Sequence, residues 1–168
     1  CRFVGSHPLA GSEARGIDAA TDDLYDGALV LVTPTPCSDE AAVASVEAFW
    51  RSVGSRTQRM DAATHDRLLA SSSHLPHLVA AALVEALSAE AEPLAATGFL
   101  DTTRIAGGDA AMWRDIFMAN RDELLASIET FEASVAAIKR ALAVGDAGAV
   151  ERLLDQAARR RQKLLKPR

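Results

Sequence analysis

The first sixty residues alternate short apolar runs with one amphipathic stretch. "RFVG" at 2–5 is a strand candidate, and "ALVLVTPTP" at 28–36 is a continuous β-branched run closed by prolines. Such a run is the pattern of a strand buried on both faces. Next comes "SDEAAVASVEAFWRSVG", in which Val43, Val46, Phe49, Trp50 and Val53 recur at helical spacing. Ser38 is placed to cap this helix, Asp39 and Glu40 fall in its first turn, and Gly54 stops it. "SRTQRMD" at 55–61 reads as a further short strand. Strand, helix, strand is a piece of an α/β sheet. Two or three such strands are not an independent domain, so residues 1–60 are expected to belong to something larger.

From residue 61 the strand signals vanish. "DAATHDRLLASSSHLPHLVAAALVEALSAEAE" at 61–92 is helix-like, and its "LVAAALVEAL" is apolar almost all round. That pattern predicts a helix buried on every side. Residues 109–144 read as one long helix in which Leu124, Ile128, Phe131, Val135, Ile138 and Leu142 follow alternating steps of four and three. This seam predicts helix-on-helix packing. Gly145 ends the helix and Asp146 caps the next, which carries Val150, Leu153, Leu154, Ala157 and Leu164. One layer of helices cannot bury an all-apolar helix, so a dimer is expected. The pattern therefore predicts an α/β remnant over 1–60 followed by an all-α region over 61–168.

Composition narrows the partners. The 168 residues carry a net charge of −5, which argues against nucleic acid, since a phosphate-binding surface needs a basic footprint. The basic run "ARRRQKLLKPR" at 158–168 reads as a solvated helix end, its cations at the negative pole of the helix dipole. Cys1 and Cys37 have neither metal-ligand spacing nor the density of a disulfide scaffold, so a reducing cytoplasm is expected. No apolar run approaches the ~20 residues that span a bilayer, so no membrane partner is expected. The G-x-G-x-x-G turn of a dinucleotide-binding sheet is not found; "VGDAG" at 144–148 has the wrong spacing and lies between helices. The phosphate-binding part is expected to precede Cys1.

The chain has four histidines, His7, His65, His74 and His77. In "CRFVGSHPLAGSEARG" an imidazole follows the first strand candidate and a proline locks the next residue, as at the lip of an active site. "SSSHLPH" places His74 and His77 three apart, on one helix face. Pro76 between them leaves two readings open. Either it kinks a helix and turns both imidazoles into a pocket, or it sits in a first turn, where it is tolerated, and the histidines cap or pack. A zinc site would need further ligands, such as His7 or Glu13, and nothing in the spacing asks for one. "GFLDTTRIAGGDAAMWRDIF" at 98–117 sets Arg104 before a glycine-containing loop and Trp113 early in the next helix. An arginine there suits a carboxylate, or is a surface arginine beside a turn. Asp109 is expected to cap that helix.

"GSHPLAGSEARGIDAA", "HDRLLASSSHLPH" and "GFLDTTRIAGGDAAMWRDIFMAN", in this order and spacing, closely resemble the prephenate and arogenate dehydrogenases of tyrosine biosynthesis, over roughly residues 3–144. The resemblance implies oxidative decarboxylation of prephenate, or of its amino analogue arogenate, with NAD or NADP. It also implies a Rossmann-type domain, of which 1–60 would be the C-terminal part, and a helical domain over 61–168 that binds substrate and forms a homodimer. By resemblance His7 is the catalytic base on the substrate hydroxyl, and His77 binds substrate with His74 close behind. Glu13 gates or polarises the pocket, Arg104 grips a substrate carboxylate, and Trp113 reaches the pocket, in some members from the other subunit. Ser12 stands where a threonine is often seen. A helical dimerisation or ligand-binding module without catalysis is the alternative.

Overall fold

The run 28–36 forms its strand at the centre of a small sheet. The computed structural model describes residues 2–11 and 20–165. Strand β1 is Gly5–Leu9, β2 is Leu29–Thr33 and β3 is Arg56–Arg59, in the order β1-β2-β3. β1 runs antiparallel to β2, with His7 opposite Leu31, and β2 runs parallel to β3. Between β2 and β3 the helix α1, Glu40–Ser52, makes the crossover that a parallel pair requires. Val30, Leu31 and Val32 are all buried, so β2 is covered on both faces as its sequence predicts. Val30 and Val32 pack with Val43 of α1, and Val4, Val46 and Trp50 close around them.

Two local features depart from the sequence reading, and a third agrees with it. The first strand begins at Gly5, not Arg2, so His7 and Pro8 lie within it rather than after it. Its backbone finds partners on β2 at 5–9, with Pro8 opposite Val30. The cap of α1 is Asp39, whose carboxylate accepts from the Ala41 amide. Ser38 instead accepts from the Thr35 amide and donates to the Phe3 carbonyl. At the other end of α1, Gly54 has φ of +85° and lies so close to Asp26 that a Cβ would meet its Oδ1 at 2.7 Å. Only glycine suits that left-handed turn.

The region after residue 61 is helical among the described residues. It comprises α2 (Ala62–Leu69), α3 (Leu75–Glu85), α4 (Thr97–Thr103), α5 (Ala110–Ala119), α6 (Arg121–Ala143) and α7 (Ala147–Leu164). Residues 61–92 are not one helix. A π turn, Ala70–His74, joins α2 to α3, and Pro76 sits in the first turn of α3. The wider turn leaves the Leu68 carbonyl to the hydroxyls of Ser71 and Ser72, at 3.1 and 2.8 Å. The long helix of 109–144 is likewise broken, at Asn120. Asp109 and Asp146 cap α5 and α7 as expected, accepting from Met112 and Ala149.

The chain divides into two compact units, Cys1–Leu124 and Leu125–Arg168. Within one chain α3 is not buried on every side: only Ala80 is fully covered, and Leu83 and Val84 are exposed. The α6 seam departs in the same way. Leu124 is buried, but Phe131, Val135 and Leu142 are 37, 46 and 63% exposed. No helix among the described residues is long and apolar enough to cross a membrane.

Candidate active site

Side chains alternate across a strand, so neighbours on β1 serve opposite faces of the sheet. Ser6 turns to the α1 face, where its Oγ accepts from Trp50 Nε1 at 3.0 Å. His7 shares the other face with Leu31, its partner on β2. On that side His7 Nδ1 meets Nε2 of His65, from α2, at 2.9 Å, with ring centroids 5.2 Å apart. His65 Nδ1 in turn meets Asp66 Oδ1 at 2.8 Å. His7 as a residue is open to solvent. Its ring is nonetheless partly desolvated against its neighbours, and this, followed by the electrostatic effect of the neighbouring His65 ring, lowers its pKa below the usual imidazole value.

The π turn delivers the second part of the site. It carries His74 inward, where the residue is only 9% exposed. Asn120, at the break between α5 and α6, donates from Nδ2 to the Asp66 carbonyl at 2.8 Å and meets His74 Nδ1 at 3.2 Å. The same asparagine thus binds the His65–Asp66 segment to the buried imidazole. Burial is the main cause that lowers the His74 pKa; His65, His7 and His77 add to it, and Asp66 opposes. His7, His65, His74 and His77 therefore form one electrostatic cluster.

The first turn of α3 carries His77 onto Trp113 of α5, the two rings stacked 3.5 Å apart at 24°. Trp113 also meets His74 edge-on at 6.4 Å, and Phe117 lies behind it. His74 and His77 thus share one side, as their spacing predicts, and of the two readings of Pro76 the first-turn one describes the backbone. The His77 pKa is lowered by desolvation first and by nearby Arg104 last, against a backbone hydrogen bond with Ile105 that raises it. Arg104 opens a 3₁₀ turn, Arg104–Gly107, that packs against α3.

The structure brings together His7, His74, His77, Arg104 and Trp113 from the sequence reading. Glu13 and Ser12 lie outside the described residues. Sequence reasoning gave no role to His65, Asp66 or Asn120. A histidine followed by an aspartate in a helical pattern is common, and only the pairing of β1 with β2 brings His7 to it. Among the described residues no three His, Cys, Asp or Glu side chains group as metal ligands.

A parallel strand pair with a crossover helix, followed by helices that gather imidazoles beside the sheet, defines a class: an α/β sheet segment joined to a helical region. Family comparison makes this specific. Residues 1–59 match the model described as prephenate dehydrogenase, nucleotide-binding domain, and residues 61–156 match prephenate dehydrogenase, dimerization domain. The chain belongs to the prephenate dehydrogenase family. It is 38% identical over 130 residues to a prephenate dehydrogenase of Bacillus subtilis (strain 168), covering 74% of this chain and 35% of that protein. It is 35% identical over 151 residues to a cyclohexadienyl dehydrogenase of Zymomonas mobilis, covering 86% and 52%. A prephenate dehydrogenase of A. aeolicus, solved with hydroxyphenyl propionate and NAD+, superposes with a TM-score of 0.90 at 35% identity, over 97% of this chain and 59% of that one. A Synechocystis arogenate dehydrogenase superposes with a TM-score of 0.84 at 30% identity, over 98% and 62%. The chain thus spans about a third to about half of these curated relatives.

Proposed function

We propose that this chain is the substrate-binding and dimerisation part, with the end of the nucleotide-binding sheet, of a prephenate dehydrogenase. In this reading residues 1–60 close a Rossmann-type domain and residues 61–168 form the helical domain. The carrying observation is the placement of His7: β1 holds its ring 2.9 Å from His65, on the side where His74, His77 and Trp113 gather.

The residues present fit a dinucleotide in part. β2 and β3 are parallel, the arrangement whose carboxyl ends receive such ligands, and Thr33 and Thr35 lie at that end of β2. The glycine-rich turn is not among the residues of this chain, so the choice of NAD or NADP rests with other segments. The nicotinamide, when bound, supplies the hydride acceptor.

This chain's own groups do the remaining work. His7, its pKa lowered, is uncharged near neutral pH and takes the proton of the substrate hydroxyl as hydride leaves the same carbon. Loss of carbon dioxide makes the ring aromatic and drives the reaction forward, so the protein's main task is orientation. Arg104 grips a carboxylate of prephenate, which it can hold bidentately. The His77–Trp113 stack forms a flat wall for the ring, and buried His74 supports that wall from behind. Glu13, outside the described residues, keeps the role the resemblance implies: it gates or polarises the pocket. Family membership supports a homodimer, and the exposed Cys37 thiol suits a reducing cytoplasm.

The test follows NAD(P)H absorbance in the complete gene product with prephenate and with arogenate, each against NAD and NADP. Turnover of prephenate with one cofactor is expected. Turnover of arogenate alone would move the assignment to that substrate. A folded protein silent with all four pairs would overturn the dehydrogenase reading in favour of a ligand-binding module.

A further inference from the structure

We infer that His65 and Asp66 form a relay that fixes the tautomer of His7, leaving its Nε2 as the only nitrogen able to accept a proton. This rests on His7 being the base proposed above. An ionised carboxylate only accepts hydrogen bonds, so Asp66 Oδ1 takes the proton of His65 Nδ1 across 2.8 Å. An uncharged His65 then has a lone pair on Nε2. That lone pair faces His7 Nδ1 at 2.9 Å, and two ring nitrogens at this distance need one proton between them, which must sit on His7 Nδ1. The remaining nitrogen, Nε2, carries the lone pair.

Without the relay an imidazole side chain in water favours the opposite form, protonated at Nε2, in which the outward nitrogen cannot act as a base. With it, His7 enters the reaction in the competent tautomer. When Nε2 takes up a proton the ring becomes an imidazolium, and its Nδ1–H stays on His65, with the Asp66 charge next in line. The proton stays on His7, and the relay orients the ring without itself being transferred, the positioning part of the logic by which a carboxylate serves a catalytic histidine. The relay is itself held in place. Asn120 grips the Asp66 backbone carbonyl at 2.8 Å, and the His65 side chain is only 19% exposed. Partial desolvation and the second imidazole both disfavour a charged His7 in the resting state, which is consistent with a neutral donor at Nδ1.

His65 and Asp66 are therefore positioning residues, and ring-nitrogen NMR reads their role without any turnover. In the complete gene product, above the His7 titration, two-bond ¹H–¹⁵N correlations are expected to show His7 protonated at Nδ1 and bare at Nε2. In His65→Leu the pattern should invert, with kcat down about 10²-fold, the scale of a misplaced reacting group, and KM little changed. His65→Gln, whose carboxamide oxygen can accept from Nδ1, should restore the tautomer and most of kcat. Asp66→Ala, at a half-exposed side chain, removes the acceptor for the His65 Nδ1 proton and should lower kcat by freeing the His65 tautomer; unaltered turnover would count against the relay. A wild-type His7 protonated at Nε2, or a His65→Leu protein with unaltered tautomer and turnover, would overturn the relay. Should the protein lack dehydrogenase activity yet show the inversion, the relay would stand and the reaction assignment alone would fall.

Discussion

Gly108 keeps Trp113 in place by having no side chain. A Cβ there would lie 2.6 Å from the indole Nε1 and 2.9 Å from Cδ1. Its backbone, at φ −65°, is one any residue adopts, so alanine would act only by pushing the indole. We expect Gly108→Ala to tilt Trp113 off His77 and raise the KM for substrate about three- to tenfold, the worth of one aromatic pair. Kinetics that separate KM from kcat, with the near-ultraviolet signal of the tryptophan, check this. At this scale the sequence is legible unevenly. His7, His77, Arg104 and Trp113 stand in motifs dense enough to be singled out. His65 does not, because its role depends on a contact across 58 positions of sequence that no local pattern encodes.

The elements were legible where one force dominates. The apolar run at 28–36 makes a buried strand, and the amphipathic pattern from 39 makes α1. Boundaries failed where hydrogen bonding to another element decides, as when pairing with β2 draws His7 into β1. The break at Asn120 was hidden because its cause is tertiary: the side chain is spent on the Asp66 carbonyl and His74. The π turn was hidden because three serines and a proline fit either reading, and such wide turns gather at functional sites. The apolar positions of α3 and α6 read as buried-type surface, yet one chain leaves Val84, Val135 and Leu142 exposed. We therefore expect light scattering at low micromolar concentration to give the mass of two chains. Val135→Glu, which places a charge in that apolar seam, should shift the population toward one chain.

For the whole molecule, the sheet matters because it holds one imidazole where the helical region can use it. β1 carries His7, α2 supplies the ring that meets it, and the π turn and α3 bring His74 and His77 to the same side. The fold class was readable from pattern, and the division into sheet and helices is what the periodicities required. The proposed chemistry rests on three motifs in register, since composition and charge exclude partners without selecting a substrate. The central claim is that His7 is the base of a dehydrogenase. The most direct measurement is kcat of His7→Asn beside wild type in the complete gene product, with prephenate and the preferred cofactor. The account predicts a fall of about 10²–10⁴-fold, the usual contribution of a general base, with a folded protein and a modest change in KM. Turnover near the wild-type rate would contradict it.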